Sequence, residues 1–170
     1  MIIVMSDSHG NRKVVEDIKE KYLGKVDGIF HCGDSEQQLM DETWDRMSMV
    51  VKGNCDYDSF PTISEMLIGN DHVFTTHGHL HGVAWGLERL VADAKKYDCN
   101  IALFGHLHRP IATVEDGVLC LNPGSVSQPR GKHNIKMYAK IEPTTDSYKI
   151  SYMDLNHQEI PELQFNLPRK

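Results

Sequence analysis

The sequence predicts an α/β fold with parallel strands in its first third. Three observations carry that reading. Short apolar runs recur at 2–5 (IIVM), 27–30 (DGIF) and 49–51 (MVV). Stretches with helical spacing or a helix-opening residue fill the gaps between them. Each run also ends in a polar turn carrying glycine or aspartate, as the strands of layered α/β sheets do.

Residues 12–23 place Val14, Val15, Ile18, Tyr22 and Leu23 at helical spacing, with Gly24 as a stop. Residues 35–47 (SEQQLMDETWDRM) read as a second helix opened by Ser35 as N-cap. TISEMLI and HVFTTH flank Gly69-Asn70-Asp71 and predict a β-hairpin. Residues 83–97 put Val83, Leu87, Leu90, Val91 and Ala94 on one helical face. NIALF at 100–104 is a further buried strand. The last third reads as all-β, with turns at Asp116-Gly117 and at the Pro-Thr-Thr-Asp after KMYAKIE. Residues 156–170 hold two prolines and are expected to form a loosely held tail. With no internal repeat, low-complexity block or linker, residues 1–170 are expected to form a single domain.

Composition sets further bounds. The 170 residues are 40% hydrophobic and 25% charged, which suits a globular chain with a real core. A net charge of −6 disfavours long nucleic acid and leaves room for a local cationic site that takes a small phosphate. No run approaches a membrane span, and the N-terminus MIIVMSDSHG lacks the basic and apolar regions of a signal peptide. Cys32, Cys55, Cys99 and Cys120 form no C-x-x-C pair, so free thiols in a cytoplasmic protein are expected.

The chemistry lies just beyond the strand candidates. SDSHG carries Asp7 and His9; HCGD carries Asp34; KGNCD carries Asn54 and Asp56; HGHLH begins at His77; GHLH carries His106 and His108. Parallel strands bring such residues to one edge of a sheet, where ligands bind. On extended backbone, D-x-H and H-x-H would point both side chains to one side. Carboxylates, an amide oxygen and imidazoles suit manganese, iron, zinc, nickel or cobalt better than a thiolate-rich structural site does. Asp7, His9, Asp34, Asn54, His77, His106 and His108 exceed the ligands of one tetrahedral ion. They fit two ions bridged by a carboxylate, for which Asp34 is the natural candidate. We expect two divalent ions, manganese foremost.

This ordered set, SDSHG, HCGD, KGNCD, THGH and GHLH, resembles the calcineurin-like metallophosphoesterases. The short chain, the GNCD form and NPGS at 122–125 are similar to the small prokaryotic phosphodiesterases of the YfcE type. The resemblance spans about residues 1 to 155. It implies a four-layer αββα sandwich, two mixed β-sheets flanked by helices. It implies that Asp7, His9 and His108 hold one metal, that Asn54, His77 and His106 hold the other, and that Asp34 bridges them. It further implies catalysis mediated by Asp34, Asn54 and His106 through their metals. Where many members carry a histidine after the asparagine, as the proposed proton donor, this chain has Cys55, a weak donor. The general acid is then open among His79, Asp56 and Cys55. Asn54, Arg130 and Ser125 are candidates for substrate binding, the last two in NPGSVSQPRG, and Arg130 could hold a phosphate bidentately.

The resulting expectation is hydrolysis of phosphodiesters by a metal-bridging hydroxide, on a small phosphate-ester substrate. The alternatives are a phosphomonoesterase acting on nucleotides or phosphorylated metabolites, and a non-catalytic scaffold of the same fold. A homo-oligomer is left open. Among the other residues, His31 is expected behind the ligands rather than among them, His81 in solvent, and Trp44 and Trp85 in packing.

Overall fold

The computed structural model describes residues 1–169. Its elements are β1 (Ile2–Met5), α1 (Arg12–Tyr22), β2 (Gly28–His31), β3 (Met49–Val50), β4 (Ile63–Ile68), β5 (Asp71–Thr76), α2 (Glu88–Lys96), β6 (Ile101–Leu103), β7 (Pro110–Glu115), β8 (Val118–Pro123), β9 (Met137–Pro143), β10 (Ser147–Asp154) and β11 (Glu159–Pro168). Two mixed sheets result. One runs β11-β10-β9-β1-β2-β3, the other β4-β5-β6-β8-β7. Parallel pairing joins β1, β2 and β3 in the first sheet, and β5, β6 and β8 in the second.

The period-two alternation of β1 explains the layering. Ile2 and Val4 point into a core shared by the two sheets, against Val73, Ile101, Leu103, Leu119 and Leu121. Ile3 and Met5 point the other way, onto Val14, Val15, Ile18 and Tyr22 of α1. On the far side, Phe74, Ala102, Phe104 and Cys120 meet Leu90, Val91 and Ala94 of α2. The order is therefore helix, sheet, sheet, helix, the αββα sandwich that the resemblance implies. The central strands β1, β2 and β6 are buried on both faces, so their short runs are apolar almost throughout rather than alternating.

Three expectations are corrected. Residues 35–47 hold no α-helix, only a 3₁₀ turn at Glu42–Trp44 capped by Asp41. Ser35 is instead buried and bound to Asp56, between Asp34 and Glu36, which both have positive φ. That backbone cannot open a helix. The helix expected from residue 83 starts at Glu88, because residues 79–87 are spent on a 3₁₀ turn, His79–His81, and a loop with two glycines.

The tail is the third. Residues 159–168 form β11, a ten-residue strand paired along β10. Pro161 and Pro168 are tolerated because β11 is a sheet edge, where one side of the backbone needs no partner. Ile160 and Leu163 enter the shared core. Beyond the strand, Arg169 forks onto both oxygens of the buried Asp71 and stacks on Tyr148. This ties the edge of one sheet to the start of β5 in the other. No helix among the described residues is long and apolar enough to cross a membrane.

A candidate metal centre

Five loops meet at the carboxyl ends of the parallel strands. Backbone bonds zip the first two together: Asp7 N–H donates to Gly33 O, and His9 N–H to Asp34 O, both at 3.0 Å. Gly105 N–H donates to His77 O, which joins the loops after β5 and β6. Ser125 Oγ–H donates to Asp7 O at 2.8 Å, and Asn122 Nδ2–H to Gly105 O at 2.6 Å. Two glycines make the close approach possible. A Cβ on Gly105 would fall 2.0 Å from Ser6 Oγ, and one on Gly53 would fall 2.0 Å from Asp34 Oδ1.

The backbone geometry of the ligands differs from the extended one expected. Asp7, His9, Asp34, His106 and His108 all have positive φ, between 43° and 69°. D-x-H and H-x-H therefore converge through left-handed turns beyond the strands, not through strand alternation.

Asp7, His9, Asp34 and His108 each offer a donor atom, all within 4.8 Å of one another. His9 Nε2 and His108 Nε2 are 3.4 Å apart, and His108 Nε2 is 3.1 Å from Asp7 Oδ1. Across Asp34, His77 Nε2 lies 3.3 Å from Asp34 Oδ2 and 3.2 Å from Asn54 Oδ1. His106 completes this side, with its ring 5.2 Å from that of His77. The seven residues singled out in the sequence thus come together.

The tautomers can be read from the partners. His77 Nδ1–H donates to Cys32 O, and His108 Nδ1–H to Gln128 O, each at 2.7 Å. A carbonyl only accepts, so Nδ1 carries a proton in both rings, and Nε2 faces Asp34 Oδ2 and Asn54 Oδ1 in His77 and Asp7 Oδ1 in His108. A carbonyl partner on the second ring nitrogen is the usual orientation of a metal-binding histidine. Both oxygens of Asp7 are buried without a hydrogen bond. With only His108 Nε2 near it, at 3.1 Å, this buried carboxylate is a site for positive charge, either a protonated ring or a metal ion. The donor set fits divalent metals on this ground.

Protonation states reflect the same packing. Burial disfavours the charged ring of His77, but the bond to Asp34 and the field of Asp7 hold its pKa above the ordinary value. His108 behaves likewise beside Asp7. Burial, with His77 nearby, pushes His106 down. Burial also works against the Asp34 carboxylate, but His77 and the backbone N–H of Cys55 keep its pKa well below the usual range. His31 lies behind this layer, fully buried. It accepts from Gly33 N–H at Nδ1 and so carries its proton at Nε2, toward Ser8 Oγ.

The remaining candidates separate. Asp56 accepts five hydrogen bonds, from the backbone N–H of Asp34, Ser35, Glu36 and Gly53 and from Ser35 Oγ. It shapes the Asp34 loop and has no oxygen free to act as an acid. Cys55 is pushed up to about 11 by burial and by Asp34, so its thiol stays protonated and weakly acidic. His79 faces the cluster, 5.3 Å from the His77 ring and 6.1 Å from that of His106. Ser125 is fully buried and spends its hydroxyl on Asp7 O and on the N–H of Ser127 and Gln128, which leaves nothing for substrate. Arg130 is exposed, and its backbone N–H binds His108 O. His81 is not in solvent: it is 5% exposed and bonded to Asp93 at 3.1 Å. Trp44 does pack, against His31 and Phe60, whereas Trp85 is 95% exposed.

One residue escapes sequence reasoning. Glu36 Oε1 lies 2.6 Å from His9 Nδ1 and groups with Cys55. Its signal is faint, an acid two residues after Asp34, and the helix expected there hides it.

Residues 1–146 match the model of the calcineurin-like phosphoesterase superfamily domain. The chain is 32% identical over 164 residues to the probable metallophosphoesterase YsnB of Bacillus subtilis, covering 96% of each chain. It is 32% identical over 121 residues to the phosphodiesterase YfcE of Escherichia coli, covering 66% of this chain and 59% of that protein. A crystal structure of a predicted phosphoesterase from Streptococcus pneumoniae superposes with a TM-score of 0.95 at 39% identity, over 98% of this chain and 96% of that one. These likenesses support hydrolysis of phosphate esters with a requirement for divalent metal. The chain belongs to the calcineurin-like phosphoesterase superfamily.

Proposed function

We propose that the chain is a cytoplasmic, single-domain phosphodiesterase with a dinuclear metal centre. In this reading Asp7, His9 and His108 hold one ion, Asn54, His77 and His106 the other, and Asp34 lies between them. Manganese is the ion of choice, with nickel, zinc, iron and cobalt as competitors. The observation that carries the reading is Asp7: a fully buried carboxylate whose nearest polar neighbour is His108 Nε2 at 3.1 Å needs positive charge beside it, from a protonated ring or, in this reading, from a metal ion. When bound, the ions would supply a hydroxide at neutral pH and neutralise charge on the phosphoryl oxygens.

The chain's own residues do the rest. Cys32 O and Gln128 O fix His77 and His108 in the ligating tautomer. The N–H of Cys55 restrains Asp34 Oδ1 at 2.8 Å. Asn54 is exposed at the mouth, where an amide can also meet substrate. Cys55 cannot give up a proton readily at neutral pH, and His79 is the remaining candidate that faces the cluster. With weak acid assistance, esters with acidic leaving groups turn over best.

The test is a metal-by-substrate activity matrix on chelated, reconstituted protein. We expect manganese to restore hydrolysis, an aryl phosphodiester to outrun its matching monoester, and an aryl diester to outrun an alkyl one by at least about a hundred-fold. Faster turnover of the monoester would move the reading to a phosphomonoesterase. Stoichiometric metal with no turnover of any phosphate ester would leave a scaffold.

A further inference from the structure

His9 differs from His77 and His108 in what holds its ring. Those two lean on backbone carbonyls, Cys32 O and Gln128 O. His9 leans on a side chain, with its Nδ1 2.6 Å from Glu36 Oε1. A carboxylate accepts, so the proton sits on Nδ1. Nε2 then faces the cluster, 3.4 Å from His108 Nε2. A charged partner on the second ring nitrogen fixes the ring and makes it a more basic donor than a neutral carbonyl does.

The fold builds this contact. His9 N–H donates to Asp34 O at 3.0 Å and Gly10 N–H to Ser35 O at 2.9 Å, which locks the loop after β1 to the loop after β2. Asp56 Oδ1 accepts Glu36 N–H at 2.7 Å, so the backbone of Glu36 is pinned by the carboxylate that shapes the Asp34 loop. Glu36 itself has a φ of 56°, a left-handed conformation that favours glycine. The chain thus carries a side chain where glycine would fit the backbone better, and its carboxylate meets His9. That side chain is 39% exposed, and a contact made at such exposure adds little to folding stability. Strain held without a matching gain in stability points to the site beside it.

We infer that Glu36 is a positioning residue of the proposed metal centre: its carboxylate holds His9 with the proton on Nδ1 and Nε2 turned to the first ion. The inference rests on the dinuclear reading for the ion, but not for the orientation of the ring. Glu36 acts through His9 and is not itself a ligand.

Two variants of the full-length, chelator-treated protein test this. Glu36→Gln keeps an oxygen acceptor for Nδ1–H and drops the charge. Glu36→Gly drops both and suits the backbone. In manganese titrations followed by electron paramagnetic resonance, Glu36→Gly should weaken one of the two ions by about ten- to a hundred-fold, and Glu36→Gln by about three-fold or less. Proton–nitrogen correlation spectra of the histidine rings report on the metal-free protein, at about pH 9, where an ordinary imidazole is neutral. They should place the His9 proton on Nδ1 in the wild type and share it between both nitrogens in Glu36→Gly. Urea unfolding of the metal-free Glu36→Gly protein should match the wild type.

Equal manganese affinity in the wild type and Glu36→Gly, or an identical His9 tautomer in the two, would overturn the inference. A Glu36→Gln protein as weak as Glu36→Gly would also overturn it, since charge or direct ligation would then be the role of Glu36. So would a metal-free Glu36→Gly protein that unfolds at distinctly lower urea, which would make the role structural. A wild type that takes up no manganese while Glu36 still sets the His9 tautomer would sink the metal centre and leave the orienting contact standing.

Discussion

The two halves of the cluster differ in where their charge comes from. Asp7, His9 and His108 include a carboxylate of their own, buried and without hydrogen bonds. Asn54, His77 and His106 have none and depend on Asp34, which His77 approaches at 3.3 Å. Exposure divides less cleanly, since His77 is fully buried and His9 only partly so. Asp7 and His108 are buried, while Asn54 is exposed and His106 only half-buried. A cation is held by charge and by exclusion of water, so the two proposed positions are not equivalent. We expect the first to hold its ion more tightly, and the second, which includes the exposed Asn54, to be the more open to solvent.

Asp34→Asn should break both halves at once. We expect kcat/KM on an aryl diester to fall by at least about a hundred-fold, and metal content by mass spectrometry to drop at both positions, with the fold intact by circular dichroism. Near-normal activity and metal content would contradict the assignment of Asp34. Asp7→Asn should act on the first half alone. About one ion should be lost, with activity down nearly as far; retention of both ions would contradict the assignment of Asp7.

Asn54→Ala sharpens the contrast from the other side. It removes a neutral, exposed donor, so we expect about a ten-fold loss of rate, rescued in part by raising the manganese concentration in the assay. A loss as deep as that of Asp7→Asn would erase the difference between the halves.

His31 gives the smallest and most indirect effect, since it lies behind both. Burial lowers its pKa from 6.5 to about 4. The unfolded chain therefore takes up a proton at a higher pH than the folded one does. The stability tied to neutral His31 is complete above pH 6.5 and is lost as pH falls through that value toward 4, by as much as ~3 kcal/mol. In metal-free protein, His31→Gln should flatten this acid limb in urea melts run at about pH 4.5 and pH 7. An unchanged limb would assign it to other groups.

Much of the fold is legible in the sequence because it obeys local rules. The alternation of Ile2 and Val4 against Ile3 and Met5, the run of α1 from Val14 to Tyr22, and the turn at Asp116-Gly117 need no tertiary information. The five ligand-bearing turns are visible because glycine, aspartate and histidine recur after each apolar run. The hidden parts depend on long-range partners. Ser35 looks like an N-cap until Asp56, twenty-one residues on, claims its hydroxyl and backbone N–H. Residues 159–168 look unstructured because two prolines mask a strand that only an edge position permits. His81 looks solvated until Asp93, on the next α-helix, supplies its partner. Trp85 fails for the opposite reason: an aromatic is usually packed, and nothing nearby in the sequence says that this one is not.

The left-handed backbone at Asp7, His9, Asp34, His106 and His108 has one more consequence. Each such non-glycine residue raises the energy of the folded chain by about 1 kcal/mol or more, and five of them share a single rim. That local tension cannot be relieved by glycine without losing the side chains of the proposed ligands. If the rim captures ions as proposed, capture and conformational rigidity there would be one linked equilibrium. We then expect slower amide exchange in these five loops when metal is bound, with the exchange of the two sheets beneath little changed.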